Sequence, residues 1–212
     1  MDQINTAGMV PIFAGLAAFF AEKREFLIAL DGKVGDSDLG LTMSKAFAAA
    51  HEAVIAENEP AIATYLKDAG MAMAKAAPST MGTLMATGFL RASKALDGVT
   101  AIGTPEMAAF WRAYSDGVAQ RGKAKVGDKT VVDVLEPIAA SLETSAEKQI
   151  PLPDAMAEAV EAASAALENT KTMVAQHGKA AAFQEKSKGL QDAGATVALF
   201  IIQSMTDTVR AA

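Results

Sequence analysis

Apolar side chains recur every three or four residues along most of this chain, and that spacing limits its fold more than any other feature. Met9, Phe13, Leu16, Phe20, Leu27 and Leu30 follow steps of three, four and one of seven, which predicts a helix over roughly residues 7–31. Met43, Phe47, Ala50 and Val54 mark a second helix. A third is expected after Glu59-Pro60, with proline near its first position, running to about Ala77. Pro78 separates it from a fourth over Gly82–Leu96. "GTPEM" then offers Thr104 as an N-cap, Pro105 at the first position and Glu106 in the first turn of a fifth, reaching about Gly122. The sixth starts near Lys129, with Pro137 expected to bend it. The seventh opens at "PLPDAM" and reaches about Gln176, and the eighth spans roughly Gly194–Val209.

Composition supports helix and little else. The chain is rich in alanine, and alanine, Leu, Met, Glu and Lys lose little rotamer freedom in a helix. Asp31-Gly32 and Asp97-Gly98 both follow helical segments, so neither reads as a hairpin turn. The expected fold is an all-α, eight-helix antiparallel bundle forming one domain over residues 1–212. A net charge of −6 without any block of Lys or Arg argues against a nucleic-acid or anionic-membrane surface. No cysteine is present, which removes disulfides and thiolate chemistry. "MVPIFAGLAAFF" has the apolar character of a signal-peptide core, but it follows Asp2, contains Pro11 and runs into "AEKRE". No apolar stretch approaches the roughly 20 residues a membrane-spanning helix needs, so a soluble cytoplasmic protein is expected.

The order of the connections carries a functional signal. "DGKVGDSDLG", "APSTMGT", "RGKAKVGDKT" and "KGLQDAG" are polar and glycine-containing, and they join helices one to two, three to four, five to six and seven to eight. Alternate connections of an up-down bundle lie at the same end, so all four should gather there. "NEP", "GTP" and "IPLP" gather at the other end and read as plain turns.

In the first of these loops, Asp31, Asp36 and Asp38 can fold toward one point if Gly32 and Gly35 take positive φ. Carboxylates so placed repel one another unless a cation intervenes, and oxygen-only ligation selects Mg²⁺ or Ca²⁺. An EF-hand fails on spacing, because Gly40 is misplaced and the twelfth position is Phe47. The plainer alternative makes Asp36 or Asp38 an N-cap and Asp31 a surface charge. In the second loop, Ser79, Thr80 and the first amides of helix four suit a phosphate, or simply cap that helix. In "GDKTVVD", Asp128 is likewise a candidate cap. Neither a Walker loop nor a G-x-G-x-x-G occurs. His51 and His177 lie near no candidate nucleophile and are expected as exposed helix residues, which gives little support to a Ser/His/Asp hydrolase or a zinc site.

Together the four loops resemble the L subunit of dihydroxyacetone kinase, the nucleotide-binding half of a two-part kinase. Leu30-Asp31-Gly-Lys-Val34-Gly35-Asp36-Ser-Asp38-Leu39-Gly40 is similar to that family's L-D-x-x-I-G-D-x-D-H-G. "RGKAKVGDKTVVDVLEP" (121–137) is similar to R-G-K-A-x-x-G-D-K-T-M-x-D-x-x-x-P, and "QDAGAT" (191–196) looks like Q-D-P-G-A. The resemblance implies an eight-helix barrel with ADP or ATP across one end and two Mg²⁺ ions on Asp31, Asp36 and Asp38. It implies nucleotide contacts at Leu39, Gly40, Leu41 and Thr42, then at Ser79, Thr80, Met81 and Gly82. Gly122 and Val131 would lie near the adenine, Thr130 would be a further nucleotide contact, Lys179 would lie near a phosphate, and Asp192, Ala193 and Gly194 would close over the nucleotide. The acceptor, dihydroxyacetone or another short ketose such as a tetrulose, would sit on a separate K subunit, so no acceptor-activating residue is expected on this chain. The phosphoryl donor would be free ATP, or bound ADP recharged by a phosphohistidine carrier protein. An alternative of another class is a non-catalytic ADP-binding subunit that regulates a partner protein. Several positions depart from the family pattern, among them Leu39 and Leu190 in place of histidines, Met81 of a serine, Lys179 of an arginine and Ala193 of a proline.

Overall fold

The computed structural model describes residues 2–56 and 61–211. Among them the periodic segments become nine α-helices: α1 (Thr6–Glu22), α2 (Arg24–Asp31), α3 (Leu39–Ile55), α4 (Ile62–Ala76), α5 (Thr80–Ala95), α6 (Thr104–Gly122), α7 (Val132–Glu147), α8 (Leu152–Asn169) and α9 (Ala193–Ala211). The expected helix start at Glu59-Pro60 lies outside the described residues. Two short strands, β1 (Ile4–Asn5) and β2 (Ala101–Ile102), pair antiparallel with Ile4 opposite Ile102.

Eight of the helices close a ring. α1 packs on α3, each of α3 to α8 packs on the next in order, and α9 returns to α1, while α2 rests on α3. The first expected helix is therefore two. The chain breaks at Lys23, whose N–H still reaches the Phe19 carbonyl at 2.9 Å. This break re-aims α2 so that its first turn abuts the start of α3. A Cβ at Gly40 would stand 2.1 Å from the Arg24 carbonyl oxygen, so only glycine permits that approach. Leu27 and Leu30 stay buried despite the break.

The stripes point inward as their spacing requires: Phe13, Leu16, Phe20, Met43, Phe47, Ala50 and Val54 are all fully buried. Phe20 stacks on Phe47 at 4.2 Å between ring centroids, and Phe89 meets Tyr114 edge-on at 5.2 Å. Burying side chains of this size stabilises the fold by about 2–3 kcal/mol each. Arg112 ties α6 to α7 through Glu136 at 2.6 Å and Glu143 at 2.8 Å.

Two boundaries differ from expectation. α7 begins at Val132 rather than near Lys129, because Asp133 draws the preceding residues into a tight loop, accepting from the Gly127 and Thr130 amides at 2.6 Å each. α8 ends at Asn169 instead of continuing to Gln176. Residues 170–192 form a strap with two 3₁₀ turns, Thr170–Thr172 and Lys179–Ser187. His177 consequently lies on the strap and not on a helix, whereas His51 is a half-buried residue of α3. Among the described residues, no helix is long and apolar enough to cross a membrane.

Candidate functional site

α2 delivers Asp31 at its last turn, and the loop of residues 32–38 brings Asp36 and Asp38 back beside it. Each of the three offers a carboxylate oxygen within 4.8 Å of the others. The loop closes by one inward hydrogen bond, from the Asp38 amide to Asp31 Oδ2 at 3.1 Å. The glycines act otherwise than expected. Gly32 is helical at φ −61°, and Gly35 is not among the left-handed residues, whereas Ser37 takes φ 62°. Gly35 matters for space: a Cβ there would fall 2.1 Å from Asp31 Oδ1 and 2.7 Å from the Asp31 carbonyl oxygen.

The capping alternative is not realised, since Asp38 occupies the N-cap position of α3 but makes no side-chain cap bond. Asp36 is paired with the ammonium of Lys179. Three carboxylates this close repel by roughly 1 kcal/mol per pair even at the dielectric of water, and one lysine offsets only part of the charge. An oxygen-only donor set of this kind fits a hard divalent cation.

The cluster forms part of the wall of a cavity of about 550 Å³, which takes residues from all four polar connections. Asp31, Asp36, Asp38 and Leu39 come from the first, and Ser79, Thr80 and Met81 from the second. Gly122, Thr130 and Val131 come from around the third, and Lys179, Asp192, Ala193 and Gly194 from the fourth. Leu84, Val118 and Val132 give the interior an apolar side. Ser79 caps α5, accepting from the Gly82 amide at 3.1 Å, so its hydroxyl is engaged with the helix. Thr80 and Met81 follow in the first turn, where amides have no carbonyl one turn back.

Four candidates fall outside the cavity wall. Gly40 is packed against Arg24, and Gly82 against the Ala77 carbonyl, 2.0 Å from where a Cβ would sit. Leu41 and Thr42 line a neighbouring shallow recess of about 240 Å³ with Ala77, Pro78 and Ser79.

Sequence reasoning missed Lys129, His177 and Gly178, which also line the cavity. Lys129 lies within "GDKT", where the local pattern points only to a helix start. Nothing in the spacing marks His177, whose Nε2 meets Asp128 Oδ2 at 3.0 Å across 49 residues. Asp128 is no helix cap; it accepts from the Lys125 amide at 2.9 Å. That bond, with help from His177, holds its carboxyl below the usual range. Asp192 caps α9 by accepting from the Ala195 amide at 2.6 Å. Burial pushes its carboxyl up to about 6, opposed by that amide and by nearby Lys129.

Residues 33–207 match the family model described as the DAK2 domain. The chain belongs to the DAK2-domain family. It is 36% identical over 186 residues to the Escherichia coli protein named PEP-dependent dihydroxyacetone kinase, ADP-binding subunit DhaL, covering 88% of this chain and 89% of that one. A Listeria innocua protein named as the ADP-binding subunit of PEP-dependent dihydroxyacetone kinase 1 is 34% identical over 188 residues, covering 88% of each. The fold agrees with that of the C. freundii dihydroxyacetone kinase solved with AMP-PNP and Mg²⁺, at a TM-score of 0.71 and 23% identity over 95% of this chain and 34% of that one. The all-α ring described above is thus shared with a solved dihydroxyacetone kinase.

Proposed function

We propose that this chain is the ADP/ATP-binding subunit of a dihydroxyacetone-type kinase, active in phosphoryl transfer together with a partner subunit that holds the ketose. The observation that carries this reading is the convergence of Asp31, Asp36 and Asp38 in the wall of a nucleotide-sized cavity. Mg²⁺ held there, read as two ions, would neutralise charge on the phosphates and on the group in transfer. This chain's own residues then bind and position. The three aspartates fix the phosphate end, and the first amides of α5 at Thr80 and Met81 add a positive dipole end beside it. Lys179 is placed to exchange Asp36 for a phosphate oxygen, and Leu84, Val118 and Val131 supply an apolar seat for the base.

The relatives' names, joining PEP dependence to ADP binding, support a bound ADP that is recharged in place, with a phosphohistidine carrier protein as donor. The acceptor is dihydroxyacetone or a related short ketose. Leu39 and Met81, apolar at the cavity wall, favour a second reading, a non-catalytic ADP-binding subunit that regulates its partner. One experiment separates them: purified protein, its K subunit, Mg²⁺ and a panel of short ketoses, supplied with ATP or with a phosphorylated carrier. Phosphorylated ketose with the carrier alone is the expected result. Failure on every ketose with both donors, while ADP still binds, would leave the regulatory reading.

A further inference from the structure

Lys129 is 2% exposed, sits in a left-handed backbone conformation at φ 58°, and has no role in the reading above. Its ammonium group donates to three backbone carbonyls: Met173 at 3.2 Å, Ser187 at 2.5 Å and Leu190 at 2.8 Å. Those carbonyls lie at the two ends of the strap. Three donors with three acceptors leave no N–H for a phosphate, which distinguishes Lys129 from the exposed Lys179. Asp133 fixes the loop on either side of Lys129 through the Gly127 and Thr130 amides, so the lysine's position is set before the strap meets it.

The strap closes on itself through the Ala175 amide to Ser187 Oγ at 3.0 Å and the Gly189 amide to the Lys171 carbonyl at 2.8 Å, but it has little apolar packing against the barrel. Ala175 is its one buried apolar side chain among the described residues, and Phe183 is 40% exposed. Two further long-range ties run to the same loop, from the Gln176 amide to the Asp128 carbonyl and from His177 to the Asp128 carboxylate, both at 3.0 Å, and one exposed ion pair joins Lys179 to Asp36 on the aspartate loop. Yet this weakly packed segment carries His177, Gly178 and Lys179 into the cavity wall.

We propose that Lys129 is a positioning residue of the nucleotide site, whose ammonium group anchors the strap over the cavity and so sets how long nucleotide stays bound. The residence-time half rests on the nucleotide reading above; the anchoring half does not. Hydrogen exchange on the nucleotide-free protein tests the anchor. In Lys129→Met, amides of residues 173–190 should exchange at least about tenfold faster, the loss of a charge-assisted bond, while α3 to α6 keep their protection. Stopped-flow with Mg-ADP should then show dissociation about ten- to a hundredfold faster with an association rate little changed. Lys129→Arg, which keeps the charge but cannot converge on three carbonyls in the same way, should fall between. Unchanged strap exchange overturns the proposal, and so does unfolding of both variants, which would assign Lys129 to the fold as a whole. If the wild type binds no Mg-ADP, the nucleotide reading and the residence-time half fall together, and strap exchange still decides the anchor.

Discussion

Both ends of the barrel use polar groups to hold the chain's own backbone, but only the site end also carries charge that the backbone does not use. At the plain end those groups serve the chain's own backbone. Thr104 Oγ1 donates to the Ile150 carbonyl at 2.7 Å, Glu106 accepts from the Gly103 amide at 2.9 Å, and Ile4 pairs with Ile102. At the site end Asp38 occupies a cap position without capping, Asp36 meets only a lysine, and three carboxylates crowd together. Backbone conformation divides the same way. Among the described residues, Ser37, Lys123, Gly127, Lys129, Gly178, Gln184 and Gly189 are left-handed around the site, against Gly98 and Gln149 at the far end. Unspent charge and left-handed backbone at residues other than glycine both cost stability, and their coincidence at one end supports reading that end as the binding site.

The sharpest way to break this contrast is Asp36→Asn. If the carboxylates serve a cation, losing one should cost about 3 kcal/mol of Mg-nucleotide binding, a drop of about a hundredfold in affinity. The melting temperature should hold or rise, because the substitution relieves repulsion in the cluster. Calorimetric titration and thermal unfolding on one preparation give both numbers. Unchanged affinity would mean that the cluster is not the metal site; a large fall in melting temperature would mean that its charges serve the fold after all.

Asp192 sharpens the contrast through pH. Its carboxyl titrates at about 6 in the folded chain against an ordinary 3.8, with burial as the main cause and Lys129, Asp133 and the Ala195 amide nearby. A raised carboxyl binds its proton more tightly when folded, so its contribution to stability is lost as pH rises from about 4 to about 6 and is level beyond. Asp192→Asn keeps an acceptor for the Ala195 amide and removes the titration. The variant should match the wild type near pH 4 and exceed it by about 1–3 kcal/mol at pH 7. Its Mg-ADP affinity should fall meanwhile, since Asp192 lines the cavity. Denaturant unfolding across pH measures the first effect. A variant less stable than the wild type at pH 7 would show that this carboxylate is part of the structural set.

Much of this contrast is legible in the sequence. Met43, Phe47, Ala50 and Val54 lie buried as their spacing requires, and the gathering of four polar loops at one end followed from chain order alone. The site itself was legible where its residues are neighbours in sequence, as in the loop from Asp31 to Asp38. What stayed hidden depends on distant partners. "TKTMVAQ" continues α8 by local preference, yet the chain leaves the helix at Asn169. The carbonyls of Met173, Ser187 and Leu190 are bound instead by an ammonium some 44 to 61 residues earlier. The break at Lys23 carries no glycine or proline to announce it; the approach of Gly40 to Arg24 does so only once the helices are packed.

Thr104→Val probes the plain end, and the expected effect is the smallest. The side chain is 6% exposed, and valine keeps its shape while removing the donor to the Ile150 carbonyl. Loss of one such bond should cost about 1 kcal/mol, which for a chain of this size lowers the melting temperature by about 2–4 °C. Mg-ADP affinity should stay level, because the Thr104–Ile150 bond joins the start of α6 to the α7–α8 connection, at the opposite end from the aspartates. The pair of measurements matters more than either one. A stability loss without a binding loss is the mirror of Asp36→Asn, and together the two variants state the division of labour between the ends. If Thr104→Val weakened Mg-ADP binding as much as it weakened the fold, the barrel would be transmitting strain along α6 from Thr104 to Gly122, and the two ends could no longer be treated as independent.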